Sequence, residues 1–280
     1  MKIHRFIPSF IFLLCAASVM PLQAADIKEI ARAKALQNQK AIVTIKLIIK
    51  TKTAILGQSQ DKDSKVEAIG TVIDPDGLTV TDVSLIDSSS ILNSLGLLGG
   101  AGIKVDTQIK EAAIILEDGA EIPADVVLKD TELGLAFIRP RATSRKFDFI
   151  ELKKRSDQPQ PLDSIFAMGR LDKFNNRAVT LSLDTILAVV KGPRTFFVSE
   201  KETSSIRGCM AYFADGDPLG MYVLKPKPIP SSGAADDNLS LADALGGEKD
   251  SLMFAILPVN DIIDAAQQAK KAKAPAKPAK

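Results

Sequence analysis

Histidine is almost missing. Among 280 residues the only one is His4. Away from the extreme N-terminus, imidazole proton relays and histidine-based zinc sites are therefore excluded. Cysteine is scarce too, with only Cys15 and Cys209, and tryptophan is absent. Neither sign of charge is in short supply: 36 basic residues face 34 acidic ones, for a net charge of +2. Such a balance lacks the basic excess of a nucleic-acid binder. Long hydrophobic runs are missing as well. The longest, residues 6–20, is interrupted by Pro8, Ser9 and Ser18 and is short for a membrane span. What remains is 46% hydrophobic and 25% charged, a globular composition that excludes a wholly disordered chain.

The N-terminus reads as a leader. Lys2, His4 and Arg5 precede the apolar run, and Pro21-Leu22-Gln23-Ala24 places small residues where a signal peptidase cuts. The expectation is a signal peptide over residues 1–24, cleaved near Ala24, and export to the periplasm or the outside of a bacterial cell. An uncleaved anchor is the alternative. Cys15 follows Leu14, not the small residue that a lipidation signal wants. Cleavage removes Lys2 and Arg5, so the 36 basic residues fall to 34 and match the 34 acidic ones. It also removes the only histidine and one of the two cysteines, so no internal disulfide is expected. The exported chain must then rest on its hydrophobic core, and about 250 residues can bury one.

Beyond the leader, residues 25–40 carry apolar positions at helical spacing, Ile27, Ile30, Ala31, Ala35 and Leu36. From Ala41 the pattern turns to β. Strands are expected over residues 41–49, 66–73 and 78–81, with Asp74-Pro75-Asp76-Gly77 as a turn and the polar stretch 58–65 as a loop. A second hairpin folds about Asp118-Gly119, with strands over 112–116 and 121–128. Further strands follow over 133–139, 164–168, 178–190, 195–199, 210–213, 219–224 and 252–257, then a helix over 259–269. Residues 140–161 read as a polar bridge between two halves. Residues 88–102 and 226–247 read as insertions. The fold class is all-β, a sandwich or barrel with a helix at each end. Residues 270–280 hold five lysines and no acid and are expected to be a disordered tail. That tail either touches an anionic envelope surface or simply solubilises the chain.

The order of these segments resembles trypsin-like serine proteases of the bacterial HtrA (DegP-like) type. The match runs from about residue 41 to 265. Residues 70–81 (GTVIDPDGLTVT) are similar to the hairpin leading to the family's catalytic histidine. Residues 118–127 are similar to the next hairpin, and residues 130–138 to the segment with the catalytic aspartate. Ser164-Ile165-Phe166-Ala167-Met168-Gly169 is similar to the strand opening the second barrel, and residues 254–260 (FAILPVN) to the closing segment. The resemblance implies a trypsin-like double β-barrel over residues 41–269. Its first barrel is expected over about 41–140, its second over about 162–258, and its closing helix over 259–269. No PDZ module is expected after it.

The catalytic residues do not match the family. Ser84 stands at the position of the base, Gly134 at that of the orienting acid and Arg207 at that of the nucleophile. A hydroxyl without a base near neutral pKa stays a poor nucleophile. The degenerate triad points to a pseudoprotease that binds or scaffolds a protein or peptide. Arg207, followed by the turn-permitting Gly208, is the ligand-binding candidate. It is expected either to pair with a local acid such as Asp82 or Glu202, or to capture a carboxylate. The enzymatic alternative is a divergent serine endopeptidase in which Lys201 serves as base for Ser204 or Ser205. The third reading is a structural envelope protein displaying the tail. No cofactor, metal, nucleic acid or membrane span of the mature chain is expected. Cys209 reads as a buried structural thiol. Asp215, Asp217, Asp236 and Asp237 lack a calcium-loop spacing, and the glycine-rich residues 96–102 lack a phosphate-loop lysine.

Overall fold

A computed structural model describes residues 26–55, 58–87, 89, 103–141, 144–201, 204–226 and 252–272. The leader with its cleavage point, most of the two expected insertions, Glu202, Asp236 and Asp237 lie outside these residues.

Helix α1 spans Ile27–Asn38 and opens on Asp26, whose side chain accepts from the Lys28 amide at 3.0 Å. Ala31 is its buried residue. After a 3-10 turn at Gln39–Ala41, six antiparallel strands follow: β1 Ile42–Ile55, β2 Gln58–Val72, β3 Thr79–Asp82, β4 Ile103–Ile115, β5 Glu121–Asp130 and β6 Leu135–Pro140. They close into a barrel in the order β1-β2-β3-β6-β5-β4. The other six are β7 Ser164–Arg170, β8 Val179–Val190, β9 Phe196–Ser199, β10 Met210–Phe213, β11 Pro218–Pro226 and β12 Leu252–Pro258. They close in the order β10-β11-β12-β9-β8-β7. Helix α2, Val259–Lys271, ends the described chain. Two closed six-stranded barrels with a helix at either end are the all-β, double-barrel architecture expected above. Among the described residues no helix is long and apolar enough to cross a membrane.

Strand β7 explains how the barrels join. Side chains alternate across a strand, and Ile165 and Ala167 enter the core of the second barrel with Ile186, Phe197, Tyr222 and Ile256. Phe166 and Met168 face the other way and join Met210, Tyr212, Met221 and Val223 in the core that continues into the first barrel. Both faces are therefore covered, and every residue from Ile165 to Arg170 is buried. Phe166 and Tyr212 stack at 5.0 Å between ring centroids.

Three expectations need correction. Residues 58–65 are not a loop but the first half of β2, paired residue for residue with β1 from Ile55↔Gln58 to Ile48↔Lys65. Solvent lies on this segment, so no apolar alternation marks it. Ion pairs brace it instead, Lys50 with Asp61 at 2.5 Å and Lys110 with Asp63 at 2.6 Å. Strand β4 begins at Ile103, nine residues before the expected start at Ala112. Finally, Lys270 and Lys271 belong to α2, not to the tail, and Lys270 reaches Asp74 at 2.5 Å. Cations in the last turn suit the negative end of the helix dipole. Residues 273–280 lie outside the described residues.

The bridge 141–163 carries no helix or strand among its described residues, yet it is pinned along its length. The Phe147 and Ile150 amides donate to the carbonyls of Pro75 and Val72 at 3.0 and 2.9 Å. The Arg155 amide donates to Asn260 Oδ1 at 3.0 Å, and the Asn260 amide group returns a bond to the Arg155 carbonyl at 2.7 Å.

Candidate functional site

The seam between the barrels is built from β3, whose four residues are all buried. Thr81 ties it sideways, its hydroxyl donating to the Ile69 carbonyl at 2.6 Å. Asp82 then caps the 3-10 turn Val83–Leu85, its Oδ1 accepting from the Ser84 amide at 2.7 Å. Its Oδ2 crosses to the second barrel and accepts from the Leu224 amide on β11 at 2.9 Å. Burial pushes this carboxyl above its usual range. The Ser84 hydroxyl, the Ser84 and Leu224 amides and the nearby Arg207 charge oppose that rise.

Ser84 lies in the same turn and is buried; its hydroxyl lies beside the Asp82 carboxyl but forms no hydrogen bond of ordinary geometry with a described residue. Gly134 meets the turn from the side, its carbonyl accepting from the Val83 amide at 2.9 Å. Its φ of +81° is a left-handed conformation that glycine enters freely. A Cβ there would lie 3.3 Å from Cβ of Val223. The space beside this backbone is thus taken by a valine of the second barrel.

The loop before β10 closes the seam. Gly208, at φ +77°, donates to the Tyr222 carbonyl at 2.8 Å. A Cβ on it would come within 3.0 Å of the Leu85 side chain and 3.3 Å of the Ile69 carbonyl. The loop therefore sits directly against the turn that holds Ser84. Arg207 is half-buried, and its buried Nε has no hydrogen-bond partner among the described residues. It makes no ion pair with a described residue, so the expected pairing with Asp82 is not formed as a direct contact. Asp82 spends its oxygens on backbone amides instead.

Ser84, Gly134, Arg207 and Gly208 thus meet at one seam. No family model matches the chain, and the comparison with curated proteins found no match. The seam must be read from its own chemistry. The described residues include no histidine, and the acid beside the serine hydroxyl is the buried Asp82 carboxyl, already held by two amides. The glycine offers no carboxylate, and Arg207 supplies a guanidinium.

The lysine alternative stands elsewhere. Lys201 is exposed, and its ammonium donates to Ser182 Oγ on β8 at 2.8 Å. Ser205 is exposed, and the Ser204 side chain lies outside what the structure describes. Cys209 is buried, which pushes its thiol up to about 12, so it is protonated and inert near neutral pH. Asp215 and Asp217 both receive Nη1 of Arg155, at 3.2 and 2.9 Å.

Two residues that matter do not stand out in the sequence reading. Arg170 ends the otherwise apolar β7, and Tyr212 faces out of the second barrel in β10. A charged residue closing the run Ile165-Phe166-Ala167-Met168-Gly169 is a visible signal for the first. Nothing in the local pattern marks the second.

Proposed function

We propose that this chain is an exported, non-catalytic protein of the trypsin-like, HtrA (DegP-like) type, whose seam binds a protein or peptide. One observation carries this reading. The positions that the resemblance gives to base, acid and nucleophile meet between two barrels, and they hold a buried hydroxyl, a bare backbone and a guanidinium. None of these can take a proton from a nucleophile at neutral pH. A half-buried guanidinium that makes no ion pair with a described residue, beside a glycine at positive φ, suits a carboxylate ligand such as a peptide C-terminus. The lysine-base alternative needs a desolvated lysine, and Lys201 is exposed.

The test starts from protein recovered from the cell envelope, with its N-terminus sequenced. A start near Ala25 is expected, and a start at Met1 contradicts export. Peptides that this protein captures should bind Arg207→Ala about ten- to a hundredfold more weakly, the loss of one charge-assisted contact. An unchanged affinity in a folded variant removes Arg207 from the binding role.

A further inference from the structure

A second concavity shares no residue with the seam. It opens between β4 and β5 and holds about 750 Å³. That lies within the roughly 300–1,000 Å³ of common binding sites. Residues 107–112 of β4 form one wall, residues 124–129 of β5 the other, and Arg141 adds to the lining.

The cleft exists because two strands part. β4 and β5 pair only from Ala112↔Ala124 to Ile115↔Glu121. Beyond that, β5 stays with β6 as far as Asp130, and β4 stays with β1 as far as Ile103. Over residues 103–111 of β4 and 125–130 of β5, one edge of each strand therefore has no described strand beside it. The N–H and C=O groups of an antiparallel strand point alternately to its two sides, so alternate residues of each segment turn theirs toward the cleft.

An open edge is a template for another strand, and proteins normally blunt it with charge or proline. The outer edge of β2 is blunted, with Asp61, Lys62, Asp63 and Lys65 crowding its first half. Strand β4 is not. It holds no proline or glycine, and half-buried Val105, Thr107 and Ile109 alternate with exposed Asp106, Gln108 and Lys110.

The two faces of a strand added here meet different surroundings. Ile109, Val126, Val127 and Leu128 pack against the first core and make one face apolar. A register shift near Lys110 sets Ile109 opposite the buried Ile49, and the exposed Glu111 opposite the half-buried Ile48. Glu111 thus belongs to the outer face. Each cation of the lining is already paired, Lys110 with Asp63 at 2.6 Å, Lys129 with Asp87 at 2.7 Å and Arg141 with Asp125 at 3.0 Å. Glu111 makes no ion pair with a described residue, so four carboxylates stand against three cations.

An open edge, an apolar inner face and a spare carboxylate on the outer face define a complementary partner. We propose that a partner protein docks here through an extended segment that adds as a strand to the edge of β4. Its apolar residues lie against Ile109, Val126 and Leu128, and a lysine or arginine points to Glu111. Main-chain hydrogen bonds supply affinity, and the alternating side chains supply specificity.

Titration of the purified chain with acetyl-Thr-Lys-Val-Lys-Val-Lys-Thr-amide tests this. One control peptide has glutamate for each lysine, and another has Pro-Pro in place of the central Val-Lys. Saturable binding of the lysine peptide is expected, with weaker binding of both controls and slowed hydrogen exchange at alternate amides within residues 103–111. Glu111→Lys alters an exposed side chain and should weaken the lysine peptide several-fold, the scale of a surface ion pair. The proposal is overturned if the lysine peptide does not bind, or binds without slowing those amides. It is also overturned if the glutamate peptide binds as tightly, or if Glu111→Lys leaves the affinity unchanged. Protection of those amides in the free protein overturns it too, because the edge is then filled by the chain itself or by a second copy.

Discussion

Arg170→Met is expected to destabilise the protein by about 3–5 kcal/mol, more than the loss of any other single side chain at the barrel junction. Arg170 is 7% exposed, and among the described residues its guanidinium donates to carbonyls alone. Nε donates to Ile42 at 2.8 Å, Nη1 to Arg177 at 2.7 Å and Nη2 to Gln39 at 2.6 Å. Two of those carbonyls flank the turn between α1 and β1, so this side chain fastens the second barrel to the start of the first. Hydrogen bonds from a charged donor are worth about 1.5–3 kcal/mol each. Three that share one donor are not additive, and burial of the cation offsets part of the gain, because it disfavours the charged form. Methionine fills the volume but leaves all three carbonyls without this donor. Arg170→Lys should recover less than half of the loss, because an ammonium cannot reproduce the planar fork. Urea unfolding of the three proteins measures both differences. A loss below about 1 kcal/mol in Arg170→Met, the size of one ordinary neutral hydrogen bond, would remove Arg170 as the clamp.

Asp82→Ala should cost about 2–4 kcal/mol. It strips the partner from two N–H groups, Ser84 on the first barrel and Leu224 on the second. Each unsatisfied buried donor costs about 1–3 kcal/mol. Relief from burying a carboxylate returns part of that. The pH dependence has a definite sign. Burial raises the carboxyl above its ordinary value of 3.8, so the folded chain holds this proton more tightly than the unfolded one. The contribution of Asp82 is then greatest below 3.8, falls as pH rises toward the higher folded value, and is flat beyond it. Asp82→Asn removes the titration. The stability of the wild type minus that of Asp82→Asn should therefore be largest in acid and shrink as pH rises. Unfolding curves across acidic to neutral pH measure this difference, and one that grew with pH would contradict the burial argument.

Much of the fold is legible in the sequence because many strands show apolar alternation or a short apolar run ended by a turn. The Asp118-Gly119 hairpin and the run ending at Met168 are examples. Residues 58–65 are not legible, because a strand with solvent on its faces carries Gln, Asp, Lys and Ser like any loop. The alternation Ile103, Val105, Thr107, Ile109 is present, but a glycine-rich stretch precedes it and hides the start of β4. At the seam, the order of motifs brings Ser84, Gly134 and Arg207 into one reading. The role of Asp82 cannot be seen there, because its second partner, Leu224, lies 142 residues further on. The same holds for Arg170, whose acceptors Ile42 and Gln39 precede it by 128 and 131 residues. Such contacts are made by the docking of two barrels, and no local pattern encodes them.

The central claim is that the seam binds and does not cut. Its most direct test is hydrolysis of an unfolded protein, such as reduced and alkylated casein, by the purified mature chain at neutral pH. The seam chemistry predicts cleavage no faster than the buffer control. Hydrolysis that survives purification and disappears in Lys201→Ala or Ser205→Ala would contradict it, and would make the lysine the base.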